Sequence, residues 1–206
     1  MDINTKLLKK NAYRVTKTRG KTAIRIRVPG GQIEAKHLEV LQKVAEIYGD
    51  GTLHITTRQG FELPGIDMDK IPEVNKMVQS VIEGLEINQI SPNTGYSAAG
   101  TRNVSACVGA NVCPFANYNT TEFAKKIEKE IFPNDYHVKV ALTGCPNDCI
   151  KARMQDFGII GMTEPQYESY RCISCKACVN NCKKRVTGAL RMENFKVVRE
   201  DRKSVV

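Results

Sequence analysis

Cysteines are the residues in this 206-residue chain whose type and spacing could do chemistry, and there are eight of them. Four form two pairs in its second half: ACVGANVC carries Cys107 and Cys113, and TGCPNDC carries Cys145 and Cys149. Zinc sites usually use tighter pairs and often add histidine, yet none of the three histidines lies near either pair. A cluster is wider than a single ion and accepts looser spacing. Gly and Pro keep the backbone tight where thiolates converge, and nearby helix N-termini favour an anionic cluster. Buried unliganded thiols and a zinc ion are the competing readings, and paired soft donors favour an iron–sulfur cluster over both.

The other four, Cys172, Cys175, Cys178 and Cys182 in RCISCKACVNNC, have the C-x2-C-x2-C-x3-C spacing of bacterial ferredoxin-type cluster ligands. Lys183 stands where that run usually continues with Pro. In two-cluster ferredoxins the fourth cysteine serves the other cluster, and no ninth cysteine exists here to complete a second one. The expectation is that the chain is a fragment and that this cluster is labile or absent.

Cations form a third chemical pattern. Arg25 and Arg27 alternate with Ile24, Ile26 and Val28 in TAIRIRV, Arg58 ends HITTR, and Arg102 lies in GTRN before Cys107. Lys139 alternates with Val138 and Val140, and Lys151 follows Cys149. Singly, such charges belong to a solvated sheet face. Their placement beside Gly-rich turns and cysteine pairs allows a cationic pocket that binds an anion and supplies protons. Spacing alone leaves both readings open.

The elements that must position these groups can be read from periodicity. Residues 24–28 alternate as a strand. Residues 34–48 place Leu38, Leu41, Ala45 and Tyr48 on one helical stripe, TLHITTRQ and FEL read as strands, and a helix at about 71–84 turns Val74, Met77, Val78, Val81 and Ile82 inward. The order strand, helix, strand, strand, helix, strand predicts a small α+β sandwich. Beyond it, TEFAKKIEKEIF predicts a helix burying Phe123, Ile127 and Ile131. HVKVAL reads as a strand and FGIIGM as a buried strand. The expected units are 1–92, 93–168 and a Cys-rich segment over 169–206.

Composition bounds the function. With 41% hydrophobic and 26% charged residues the chain is ordinary globular material. Its net charge of +9 asks for anionic partners, whether nucleic acid, a carboxylate-rich cofactor or an oxyanion. No apolar stretch approaches the length that spans a bilayer. The N-terminal MDINTKLLKKNAYR lacks an apolar signal core, so a cytoplasmic location is expected, where eight cysteines argue for metal rather than disulfides.

RVPGG (27–31), LHITTRQGFELPGI (53–66), GTRNVSACVGANVC (100–113) and TGCPNDC (143–149) together resemble the signature segments of siroheme-dependent sulfite and nitrite reductases. The added ferredoxin run narrows the resemblance to the siroheme-binding C subunit type of anaerobic sulfite reductase, over about residues 13–200. The resemblance implies a ferredoxin-like α/β half-domain followed by a siroheme/[4Fe–4S] α/β domain. In it, Cys107, Cys113, Cys145 and Cys149 would hold a [4Fe–4S] cluster, with the Cys149 thiolate shared with the siroheme iron, and Cys172, Cys175, Cys178 and Cys182 an additional ferredoxin-type cluster.

It further implies that Arg25, Arg27, Thr56, Thr57, Arg58 and Gln59 contact siroheme or its anionic ligand, supported by Asn103 and Asn147. Arg25, Arg102, Lys139 and, more weakly, Lys151 would serve catalysis where sulfite binds. The implied reaction is a six-electron reduction of sulfite to sulfide, with nitrite reduction or simple electron carriage as the alternatives. Iron–sulfur and flavin/NADH subunits would deliver electrons. Siroheme carboxylates would account for much of the basic charge without nucleic acid. The family uses two related halves, whereas RVPGG and TTRQ occur once here, so a homo-oligomer or a further C-terminal stretch is expected to supply the second.

Overall fold

Alternating apolar residues make β2 (Lys21–Ile26) the centre of the first unit, with Ile24 and Ile26 buried. The computed structural model describes residues 12–87, 102–132, 137–163, 167–185, 188 and 190–199. On one edge of β2 lies β1 (Tyr13–Val15), Tyr13 opposite Ile24; on the other lies β4 (Phe61–Asp67), Leu63 opposite Ile24. A two-residue strand β3 (His54–Ile55) completes an antiparallel sheet of order β1-β2-β4-β3. Helices α1 (Ala35–Ile47) and α2 (Ile71–Gly84) share one core with the sheet, built around Ile24, Leu41, Leu63, Val74 and Val78. Fully burying each such side chain contributes about 1.5–3 kcal/mol.

The helix at 71–84 lies where periodicity placed it, with Val74, Val78, Val81 and Ile82 buried and Met77 partly so. In α1 the inward stripe is instead His37, Leu41, Val44 and Ala45, and Leu38 is 45% exposed. An aliphatic residue one position off the i, i+4, i+7, i+8 row faces solvent because helical geometry allows only one stripe to meet the sheet. TLHITTRQ is a strand only at His54–Ile55, and the rest turns. The strand expected after α2 and the 92/93 boundary lie outside the described residues.

The second unit is a parallel sheet of order β5-β6-β7: β5 (Ser105–Ala106), β6 (Val140–Thr143) and β7 (Phe157–Ile160). HVKVAL becomes strand only from Val140. Helix α3 (Thr120–Ile131) begins on an Asn119 cap, whose Oδ1 accepts the Glu122 N–H at 3.1 Å. Its Ala124 is buried, and Ile127 and Ile131 pack against Val104, Ala106 and Leu142. The expectation that Phe123 is buried is corrected: it is exposed. Here α3 meets the Pro29–Gly31 turn, where Gly30 has φ +70 and a Cβ on it would stand 3.2 Å from that of Ala124. Only a small residue fits that contact, so Ala124 takes the inward position and Phe123 turns aside. The reading of FGIIGM as buried is also corrected: Phe157 is 62% exposed, because β7 is an edge of this sheet among the described residues.

The third unit holds a short 3-10 turn (Ser169–Arg171), helix α4 (Ala177–Arg185) and a hairpin of β8 (Leu190–Glu193) and β9 (Lys196–Arg199). Asn194 and Phe195 both have positive φ, as a two-residue hairpin turn that matches strand twist requires. Among the described residues no helix is long and apolar enough to cross a membrane.

Candidate functional site

The TTRQ stretch leaves β3 as a tight turn. The Gln59 N–H donates to the Thr56 carbonyl at 3.0 Å, and the Thr56 N–H to the Gly60 carbonyl at 2.8 Å. Gly60 is needed because a Cβ there would lie 2.6 Å from the Ile26 carbonyl oxygen. Packed close against the end of β2 in this way, the turn directs the Arg58 and Gln59 side chains to the second sheet. Arg58 crosses the gap, donating from Nη2 to the carbonyls of Asn103 (2.7 Å) and Val140 (2.5 Å) and from Nη1 to Gln155 Oε1 (2.6 Å). Asn103 answers by donating from Nδ2 to the carbonyls of Val28 (2.9 Å) and Arg58 (2.6 Å). Gln59 makes two bonds to Ala106.

Between these elements lies a cavity of about 550 Å³. Arg25, Arg27, Thr56, Thr57, Arg58, Gln59, Arg102, Asn103 and Lys139 all line it, and among the described residues no carboxylate does. Asn147 and Lys151, expected at the same site, are exposed and do not line it. Lys151 has φ +58, and its N–H closes a turn on the Asp148 carbonyl.

The cations are not equivalent. Arg27 is buried and ion-paired with Glu128 of α3 at 2.6 Å, its guanidinium 4.1 Å from the Phe132 ring centroid. The reading of Arg27 as a solvated sheet-face residue is therefore corrected. Arg25 pairs with Glu62, which also receives Arg14 at 2.8 Å. Burial alone would raise the Glu62 carboxyl, but the hydrogen bonds from Arg14 and Arg25 outweigh it and hold it below its ordinary range. Among the described residues the buried Arg58 Nε has no hydrogen-bond partner. Burial pulls the Arg58 guanidinium down, and it pulls Arg102 down likewise, reinforced there by repulsion from Arg25, Arg14 and Arg27. Arg102 Nη2 lies 3.2 Å from His137 Nδ1. Among the described residues neither Arg102 nor Lys139 pairs with a carboxylate. An anion entering the cavity would relieve this crowding of positive charge, and a buried unpartnered N–H would gain an acceptor.

The cysteine pairs sit at the far end of the parallel sheet. Cys107 follows β5; its N–H donates to the Leu142 carbonyl, and its Sγ accepts the Gly144 N–H at 3.1 Å. Cys145 follows Gly144 and is buried. The loop carrying Cys113 is tied to the same place, because the Asn117 N–H donates to the Gly144 carbonyl at 2.8 Å. Cys149 is exposed, next to the cavity-lining Ile150. Its turn is organised by Asp148, whose carboxylate accepts the N–H groups of Ala152 (2.6 Å) and Arg153 (3.2 Å). Among the described residues no three His, Cys, Asp or Glu side chains stand close enough to hold one metal ion. Cys107 and Cys145 follow the ends of neighbouring strands, Cys113 and Cys149 lie on the loops that continue from them, and four soft thiols are the donor set of an iron–sulfur cluster.

In the third unit Cys172, Cys175 and Cys178 line a second cavity, also about 550 Å³, and Cys182 is buried one helical turn beyond Cys178 on α4. Sequence reasoning missed Glu62, Glu128, His137, Asp148 and Gln155. Asp148 alone had a local signal, an acidic side chain just before a helical turn; the others act across the fold.

Residues 14–81 match the nitrite/sulfite reductase ferredoxin-like half domain, and residues 97–198 the nitrite and sulphite reductase 4Fe-4S domain. The C subunit of the anaerobic sulfite reductase of Salmonella typhimurium is 40% identical over 98% of this chain, which spans 62% of that relative's length. The coenzyme F420-dependent sulfite reductase of Methanocaldococcus jannaschii is 30% identical over 78% of this chain and 25% of its own. In fold, dissimilatory sulfite reductase I superposes with a TM-score of 0.63 at 17% identity, covering 88% of this chain and 47% of that one. The ferredoxin-like half followed by a cysteine-bearing parallel-sheet unit is thus an inherited arrangement, and the chain belongs to the siroheme/[4Fe–4S] nitrite and sulfite reductase family.

Proposed function

We propose that this chain is a catalytic part of a siroheme-dependent reductase that takes sulfite to sulfide. The observation that carries the reading is the cavity lined by Arg25, Arg27, Arg58, Arg102 and Lys139, with no carboxylate on its wall among the described residues. Siroheme bears many carboxylates, and a cavity of this charge suits both it and an oxyanion. Arg58, with its unpartnered Nε, and the hydroxyls of Thr56 and Thr57 would hold the carboxylates. Cys107, Cys113, Cys145 and Cys149 would hold a [4Fe–4S] cluster, and Cys149, exposed beside the cavity-lining Ile150, would also help hold siroheme. When bound, siroheme and its cluster would carry electrons from the donor proteins and provide the site at which sulfur–oxygen bonds are broken.

This chain's own residues would bind, orient and protonate. Arg102 and Lys139 lack carboxylate partners among the described residues, so they are the cations available to sulfite oxygens. The Lys139 ammonium has protons to give, which eases departure of each oxygen as water. Arg25 would act from a fixed position, held by Glu62. The charge of Arg27 is already answered by Glu128, so its share in holding the cofactor is small. Cys172, Cys175, Cys178 and Cys182 would hold a further cluster through which electrons enter. The likeness to a protein named as one subunit of a reductase supports a multi-subunit assembly, with iron–sulfur and flavin/NADH proteins as electron donors.

Anaerobically purified protein should show siroheme and cluster absorption and reduce sulfite with a reduced dye. Faster turnover of nitrite than of sulfite would move the substrate to nitrite, whose oxygens the same cations would hold. Cluster absorption without haem bands would leave an electron carrier and sink the reading.

A further inference from the structure

Strand β5 is an edge of the parallel sheet, so the outward N–H and C=O of Ala106 have no strand to pair with among the described residues. Buried backbone groups left unpaired are costly. Gln59 satisfies both: its Oε1 accepts the Ala106 N–H at 2.8 Å, and its Nε2 donates to the Ala106 carbonyl at 2.8 Å. A primary amide has the same donor and acceptor as a peptide, and here it takes the place of one residue of a neighbouring strand. The fit is built from both sides. Gln59 is held at φ +63, and a Cβ on Gly31 would stand 2.8 Å from the Gln59 amide carbon and oxygen.

Ala106 is followed by Cys107, whose N–H is bonded on the inner side to Leu142 and whose Sγ takes the Gly144 N–H. The peptide joining Ala106 to Cys107 is therefore clamped, by β6 on one side and by Gln59 on the other. We propose that Gln59 is a positioning residue for the iron–sulfur centre and not a cofactor contact: through Ala106 it ties the turn lining the cation-rich cavity to the backbone that aims the Cys107 thiolate. The inference rests on the proposed cluster at Cys107 for its consequence, while its structural half stands on the two hydrogen bonds alone. Glu cannot replace Gln fully, since a carboxylate accepts from the Ala106 N–H but cannot donate to the carbonyl; Met keeps the length and offers neither.

Two measurements test it. Hydrogen exchange of the Ala106 and Cys107 amides is read in the whole protein with its cofactors as purified. Gln59→Met should speed exchange there roughly tenfold and Gln59→Glu by less, with the β1-β2-β4-β3 sheet unchanged. In the same samples the reduced-cluster electron paramagnetic resonance signal should shift or broaden in Gln59→Met, with siroheme content per chain preserved. Unchanged exchange at 106–107 overturns the proposal. So does siroheme loss with an unaltered cluster signal, which would make Gln59 a contact of the macrocycle. Faster exchange across the whole chain would make it a general stability residue and likewise overturn the positioning role. If the unmutated protein contains neither siroheme nor cluster, the proposed function fails, and the exchange measurement still decides whether the clamp exists.

Discussion

Glu128→Gln tests whether the two units are locked together by a buried charge pair. Arg27 follows β2 and Glu128 lies on α3, and their side chains are 3% and 4% exposed. Arg27 donates from Nε to Glu128 Oε1 at 2.6 Å, and Glu128 Oε2 receives the Val104 N–H at 3.4 Å. Replacing the carboxylate by an amide of the same shape removes the negative charge that Glu128 supplies to a guanidinium held out of water. Removing one partner of a buried pair costs about 3–5 kcal/mol, and the lower end applies here because the amide oxygen still accepts a hydrogen bond. In a chain of this size about 3 kcal/mol corresponds to a fall of roughly 6–12 °C in Tm. Thermal unfolding of the two proteins side by side is the assay. The double variant Arg27→Met/Glu128→Leu should recover most of the loss, because an apolar pair removes the buried charge together with its partner. A loss below about 1 kcal/mol, the range of solvent-exposed pairs, would show that the charge is not buried and refute the reasoning.

Other outcomes follow from the same geometry. If the proposed function holds, Cys149→Ser should abolish sulfide production with Tm nearly unchanged, since the side chain is exposed; normal turnover would remove the role proposed for it. Arg102→Ala should keep the haem spectrum and lose most turnover, whereas loss of haem would move Arg102 from substrate to cofactor. Glu62 has a carboxyl held below its ordinary value of 4.5, so its contribution is present above that pH and is lost as pH falls through the lower folded value. Glu62→Gln should therefore flatten the acid limb of the stability-versus-pH curve, and a limb unchanged by the substitution would assign acid sensitivity elsewhere.

Local pattern determined much of this protein. The helix at 71–84, the alternation of β2 and the two cysteine spacings are written in neighbouring residues, because helix and strand periods and ligand spacing are short-range properties. Motif resemblance carried the fold and assembled Arg25, Arg27, Thr56, Thr57, Arg58, Gln59, Arg102, Asn103 and Lys139 as one group, and all of them line the cavity. What each member does there was decided only by tertiary docking. Arg27 meets a carboxylate 101 residues away, Arg58 a carbonyl 82 away, and Gln59 a strand edge 47 away. Such partners leave no trace in local sequence, since charge and hydrogen-bond demand are satisfied by whatever the packed neighbour presents. Leu38 and Phe123 were misplaced for the same reason: periodicity says that a helix has an inner face, but the sheet or turn it packs against chooses which residues form it.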